Sequence, residues 1–224
     1  MKGLKSKWDG RLPRKGFLIV LSGPSGAGKN SVMNAVFPTI PNLKYSISVT
    51  TRPPRLGEVD GVNYFFRTEE EFDSFVAQDL LLEWATFVGH RYGTPKKYVQ
   101  EQIKNGNAVI MDIDIQGAAQ IRAQMPEAVF VFLLPPSRSE LAQRLNLRGT
   151  DSKEVIKHRL EKSEEEIEHI IDYDYFIVND DLGEAAERLG QIILSEWSRV
   201  SRIDLKGLKC LWKGGAEPER SKKN

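Results

Sequence analysis

Gly23-Pro24-Ser25-Gly26-Ala27-Gly28-Lys29-Asn30 is the stretch that decides the fold, because it follows the apolar run Phe17-Leu18-Ile19-Val20-Leu21 and precedes a segment that reads as a helix. A buried strand, a glycine-rich turn and a helix N-terminus in that order make a phosphate site. Glycine and alanine leave little side-chain bulk, so successive backbone N–H groups can converge on an anion, and the helix adds the positive end of its dipole. Lys29 supplies a point charge for the outer phosphates. The pattern G-x-x-x-x-G-K is complete, but the next position, usually Ser or Thr for magnesium, holds Asn30, and a hydroxyl follows only at Ser31.

Composition narrows the class. The 224 residues carry 32 Lys and Arg against 31 Asp and Glu, a net charge of +1, which gives no electrostatic footprint for nucleic acid. One cysteine, Cys210, allows no internal disulfide and suits a reducing cytoplasm. There is no His/Cys cluster with zinc-ligand spacing. Residues 1–15 carry Lys2, Lys5, Lys7, Arg11, Arg14 and Lys15 without an apolar run, so they read as a solvated basic tail, with a short transit peptide the alternative, and no membrane span is expected.

Beyond the loop, apolar runs alternate with amphipathic stretches, the pattern of strand–helix–strand units on a parallel sheet. Core strands are expected at Phe17–Leu21, Ala108–Met111, Val129–Leu134 and Tyr175–Val178. Helices are expected at about Lys29–Phe37, Gln116–Gln124, Arg138–Leu147, Ser152–Ile171 and Gly183–Arg202. Residues 50–94 break this rhythm: they are rich in Pro, Gly, charge and aromatics, with short strands at Tyr64–Arg67 and Leu81–Val88, and read as an inserted subdomain. From residue 203 to 224 the chain turns polar and reads as a frayed tail.

The insertion speaks to a second substrate. Arg52 and Arg55 stand three residues apart around Pro53-Pro54, where the prolines disfavour helix and stiffen the backbone. Such a fork of fixed planar donors suits a phosphate. Ser48, Tyr64, Glu83, Tyr92, Gly93 and Thr94 surround it in sequence and together could hold a nucleoside monophosphate. A buried carboxylate can accept from both N1–H and the exocyclic amine of guanine, a donor pair that adenine lacks.

With Ser48 to Glu58, Tyr64-Phe65-Phe66, Leu82-Glu83-Trp84-Ala85, Tyr92-Gly93-Thr94 and Asp112-Ile113-Asp114-Ile115-Gln116-Gly117 added to Gly23–Lys29, the chain resembles the guanylate kinases over about residues 16–202. The resemblance implies an α/β fold: a P-loop NTPase-type parallel sheet flanked by helices (16–49 and 95–202), a GMP-binding subdomain (50–94) and a helical lid (about 137–171). It implies transfer of the ATP γ-phosphoryl group to GMP with Mg2+, in the cytoplasm, by a monomer or a homo-oligomer.

Position by position, the resemblance assigns Gly23, Pro24, Ser25, Gly26, Ala27, Gly28, Lys29, Asn30 and Ser31 to ATP, with Asn179 near the adenine ring or merely turning the chain. Ser48, Arg52, Arg55, Tyr64 and Tyr92 match ligands of the GMP phosphate. Glu83, Thr94 and Asp112 match those that recognise guanine. Lys29, Arg52 and the lid arginines Arg144, Arg148 and Arg159 would neutralise charge on the transferred group. Asn30 and Ser31 are the metal candidates, Ser31 the favoured one, with Asp112 and Asp114 acting through water; either acid could instead cap the following helix. Two other classes remain: a scaffold domain of the same fold, against which the intact Lys29 and glycines argue, and a kinase for a phosphorylated sugar, which would leave Glu83 without a guanine edge to satisfy.

Overall fold

The computed structural model describes residues 14–87, 89–147 and 153–213. β1 (Phe17–Ser22) is buried along its whole length, as a strand covered on both faces must be. It lies at the centre of a five-stranded parallel sheet in the order β2 (Leu43–Tyr45), β7 (Ala108–Asp112), β1, β8 (Val129–Leu134) and β9 (Tyr175–Val178). Its alternate residues feed two cores. Phe17, Ile19 and Leu21 pack with Val32 and Met33 of α1 (Lys29–Val36) and with Leu189 and Ile193 of α7 (Leu182–Trp197). Leu18 and Val20 pack with Val99 of α3 (Lys96–Lys104) and Ile121 of α4 (Ile115–Gln124) on the other face.

The register brings Leu21 of β1 opposite Asp112, the last residue of β7. The glycine-rich turn therefore opens beside the acidic end of β7, at the carboxyl edge of the strands where open α/β sheets hold their ligands.

A second, mixed sheet is built between Val49 and Pro95: β4 (Phe65–Phe66), β3 (Val49–Thr50), β6 (His90–Pro95) and β5 (Leu81–Phe87), in that order. It is antiparallel except where β3 runs with β4. Phe72 of α2 (Glu69–Ala77) fills the space beneath it with Val49 and Leu81. The Thr68–Glu71 capping box starts this helix, with each side chain accepting from the other residue's backbone N–H. Two helices, α5 (Arg138–Leu147) and α6 (Lys153–Glu168), form a further unit around Leu141, Leu145, Ile156 and Leu160.

Several boundaries differ from the sequence reading. α2, α3, β2, β3 and β6 had no place in it. The segment after Arg202 is no frayed tail as far as it is described, since α8 (Leu205–Trp212) forms there. Leu205, Leu208 and Trp212 recur at helical spacing, and this outweighs the Lys and Gly between them. The preceding turn is anchored by Lys15 N–H donating to Arg202 O at 2.8 Å. Arg202, itself buried, donates to Glu196 Oε2 at 2.9 Å and lies 4.2 Å from the Phe17 ring centroid. Tyr175 donates its hydroxyl to the other oxygen of Glu196 at 2.7 Å.

Removing Arg202 leaves the buried Glu196 carboxylate with only the more exposed Arg199, 3.4 Å away, as counter-charge, which is costly. Arg202→Ala is expected to lower the unfolding free energy by about 3 kcal/mol, read from urea denaturation, with the Arg202→Ala/Glu196→Gln double variant recovering part of the loss.

Candidate active site

The glycine-rich turn is shaped by three left-handed glycines, Gly23, Gly26 and Gly28. At Gly23 a Cβ would lie 2.1 Å from Leu133 O of the neighbouring strand, so no other residue fits without moving the sheet. Ala27 N–H closes the turn onto Pro24 O at 3.0 Å. α1 then begins at Lys29 with Gly28 as its N-cap and no side chain capping it, leaving its first N–H groups to a ligand. Lys29 folds back over the turn. Its Nζ donates to Gly23 O at 2.6 Å and stands 3.7 Å from Asp112 Oδ1.

This turn is one wall of a cleft of about 650 Å³ that runs between the parallel sheet, the mixed sheet and α6. Gly23, Ser25, Lys29 and Asn30 line it from the turn, and Asp112 and Asp114 from the end of β7. Ser48, Arg52, Arg55, Tyr64, Glu83 and Tyr92 line it from the mixed sheet and its loops, and Arg159 from α6. Residues from Gly23 to Glu166, far apart in sequence, thus meet in one place.

On the mixed-sheet side, the Arg52 guanidinium is held by Glu58 through two 2.9 Å hydrogen bonds and by Pro53 O at 2.8 Å. It also stacks 5.4 Å from the Tyr64 ring centroid. Glu58 accepts the Arg55 N–H at 2.7 Å as well. Desolvation would raise the Glu58 carboxyl, but the Arg55 N–H and the Arg52 guanidinium hold it below the usual carboxylate range. Deeper in, Glu83 is buried and accepts the Thr94 hydroxyl at 2.6 Å. Thr94 is itself fully buried, so it acts on the cleft through Glu83. Burial pushes the Glu83 carboxyl up to about 7, with Asp114 adding to the shift and the Thr94 hydroxyl opposing it. Gly117 of α4 makes room for it: a Cβ there would sit 2.6 Å from Glu83 Oε2.

Some expected residues lie elsewhere. Ser31, the favoured metal candidate, does not line the cleft, whereas Asn30, equally exposed, does. Successive helical residues point about 100° apart, so a helix start that turns Asn30 inward turns Ser31 out. Asp114 accepts Gly117 N–H at 2.9 Å as the N-cap of α4 while still lining the cleft. Arg144 pairs with Glu140 and donates to Asn179 O at 3.0 Å, outside the cleft lining. Asn179 is buried against the turn. Arg148 lies outside the described residues.

Other residues line the cleft without having been expected there, among them Tyr45, Glu58 and Glu166. Glu166 is buried on α6, seven positions from Arg159 and so on the same helix face. Burial pushes its carboxyl upward, against the pull of Lys29 and Lys162. Its signal in the sequence was hidden among Glu164 and Glu165, which lie on other faces of α6. Among the described residues no group of three or more His, Cys, Asp or Glu could hold a metal ion by itself.

Comparison with known proteins agrees with this geometry. The sequence model of the guanylate kinase family matches residues 15–196. The chain belongs to the guanylate kinase family. It is 50% identical over 187 residues to a guanylate kinase of Desulfitobacterium hafniense, covering 84% of this chain and 94% of that one. It is 50% identical over 193 residues to a guanylate kinase of Streptococcus mutans, covering 86% and 92%. The crystal structure of guanylate kinase from Anaplasma phagocytophilum superposes with a TM-score of 0.74 at 33% identity, covering 92% of this chain and all of that one. No described helix is long and apolar enough to cross a membrane.

The raised Glu83 carboxyl has a consequence for stability. Folding lifts this group from an ordinary carboxylate value to about 7, so its share of stability is present below pH 4.5 and is lost as pH rises towards 7. Glu83→Gln should therefore stabilise the ligand-free protein at pH 8, by on the order of 2–3 kcal/mol, and hardly at all at pH 4.5. Thermal melts of both proteins across that range check it.

Proposed function

We infer that the chain transfers the γ-phosphoryl group of ATP to GMP, giving GDP and ADP, and accepts dGMP as well. The observation that carries this reading is the placement of Glu83, buried and braced by Thr94, in the same cleft as Lys29 and the Arg52 guanidinium. A buried carboxylate that shares the cleft with Asp112 and Asp114 offers acceptors to the two donors of a guanine edge. Ser48, Arg52, Arg55, Tyr64 and Tyr92 give the phosphate of GMP its donors. The turn of Gly23–Asn30 gives ATP its phosphate cradle.

The reaction asks for alignment, neutralised charge and dryness rather than a strong nucleophile from the protein. Lys29 and Arg159, which line one cleft from the turn and from α6, would bring cations to the transferred group. Arg144 would join them by leaving Glu140 and Asn179. Magnesium fits the donor set: Asn30, Asp112 and Asp114 are hard oxygen ligands that form no closed cage, as suits an ion that arrives on ATP with much of its water. When bound it would supply positive charge to the phosphates during transfer. We assign the activity to the cytoplasm, which the lone cysteine and the two soluble substrates favour.

An ADP-release assay with GMP, dGMP, AMP, CMP and UMP tests the assignment; equal rates with AMP and GMP would overturn it. Glu83→Gln places a donor against a guanine donor and is expected to raise the GMP KM tenfold to a hundredfold, about 1–3 kcal/mol, with the ATP KM nearly unchanged. Lys29→Met should remove most turnover while GMP affinity, measured by calorimetry, stays within a few fold.

A further inference from the structure

Asn179 stands at the carboxyl end of β9 and is 6% exposed. Its backbone N–H donates to Leu134 O at 2.8 Å, which fixes the residue beside β8. Its side-chain Nδ2 donates to Ala27 O at 2.7 Å, in a buried hydrogen bond that joins residues 152 positions apart. The same nitrogen lies 2.3 Å from where a Cβ of residue 28 would be, so it occupies the space that Gly28 leaves.

The peptide unit from Ala27 to Gly28 is planar and trans, and its C=O and N–H point in opposite directions. A carbonyl turned onto Asn179 therefore turns the Gly28 N–H to the other side. With φ of 96° at Gly28, rotation of this unit meets little steric resistance from the chain itself. A rotated unit would present the negative end of a dipole to an incoming phosphate.

We propose that Asn179 is a positioning residue for phosphate binding: by holding the Ala27 carbonyl outward, its amide keeps the Gly28 N–H aimed into the turn. This rests on the reading of Gly23–Asn30 as the ATP phosphate site. It differs from a contact between Asn179 and the adenine ring, because the effect is exerted on the phosphates and needs no base. Asn179 also passes the constraint to α5, where Arg144 Nη2 donates to its backbone O at 3.0 Å.

The test uses Asn179→Asp, which keeps the shape and replaces the donor by an acceptor, and Asn179→Leu, which removes the donor. Binding of magnesium-ATP and of magnesium-tripolyphosphate, which has no base, is measured by calorimetry beside the ATP and GMP KM. Both variants are expected to lose affinity for the two probes by the same factor, on the order of tenfold, with the GMP KM within twofold of wild type. Should Asn179→Leu fail to fold, Asn179→Asp carries the test. A loss with ATP but not with tripolyphosphate would assign Asn179 to the base and overturn the proposal, as would unchanged binding of both probes. Wild-type protein that bound neither probe would instead remove the phosphate-site reading.

Discussion

The pairing of β1 with β7 on one side and β8 on the other is the constraint from which the cleft follows. A strand buried on both faces has no freedom of register, because slipping by one residue would exchange the two sets of side chains between two different cores. That register sets Leu21 against Asp112 and delivers the chain into the glycine turn next to a carboxylate. Lys29 is then near both the turn it crosses and the acid at the end of β7. The phosphate cradle is thus a property of the sheet as much as of the eight residues that form it.

Charge around the cleft is arranged in pairs that substrates can replace. Arg52 is clasped by Glu58, Lys29 stands beside Asp112 with Glu166 within reach of its charge, and beyond the cleft lining Arg144 rests on Glu140 and a carbonyl. A cation left bare in a partly buried site would be costly, so each is kept oriented by a partner until an anion arrives. Glu83 is held differently. Among the described residues its hydrogen bond comes from the neutral Thr94 hydroxyl, and its burial leaves it ready to be satisfied by donors from a ligand.

The parts of the fold carried by local pattern were legible in the sequence. β8, β9 and α5 have the bounds that apolar runs and helical spacing imply, and the glycine turn lies where its strand and helix place it. α2 was not seen, although Thr68 and Glu71 spell its capping box, because the aromatic and acidic residues around it break the apolar period. In the cleft, the resemblance supplied residues whose chemistry suits a ligand directly. It could not supply Glu58, whose role is to hold Arg52, or the inward amide of Asn179, whose role is to hold a backbone carbonyl. Which of Asn30 and Ser31 faces inward depended on helix phase, which residue type does not reveal.

The central place of β1 also governs the order in which the chain can fold. Phe17 finds its partner only at Ala108, and Ile19 its second one at Val129, so the strand emerges early and waits through nearly half of the chain for neighbours. Closing loops of that length costs entropy before any contact rewards it, and the exposed Phe-Leu-Ile-Val-Leu run is meanwhile open to association with other chains. The mixed sheet, built between Val49 and Pro95 with its β5–β6 hairpin close in sequence, meets no such delay. The half of the cleft that holds Glu83 can therefore form while the phosphate turn is still without a sheet to stand on.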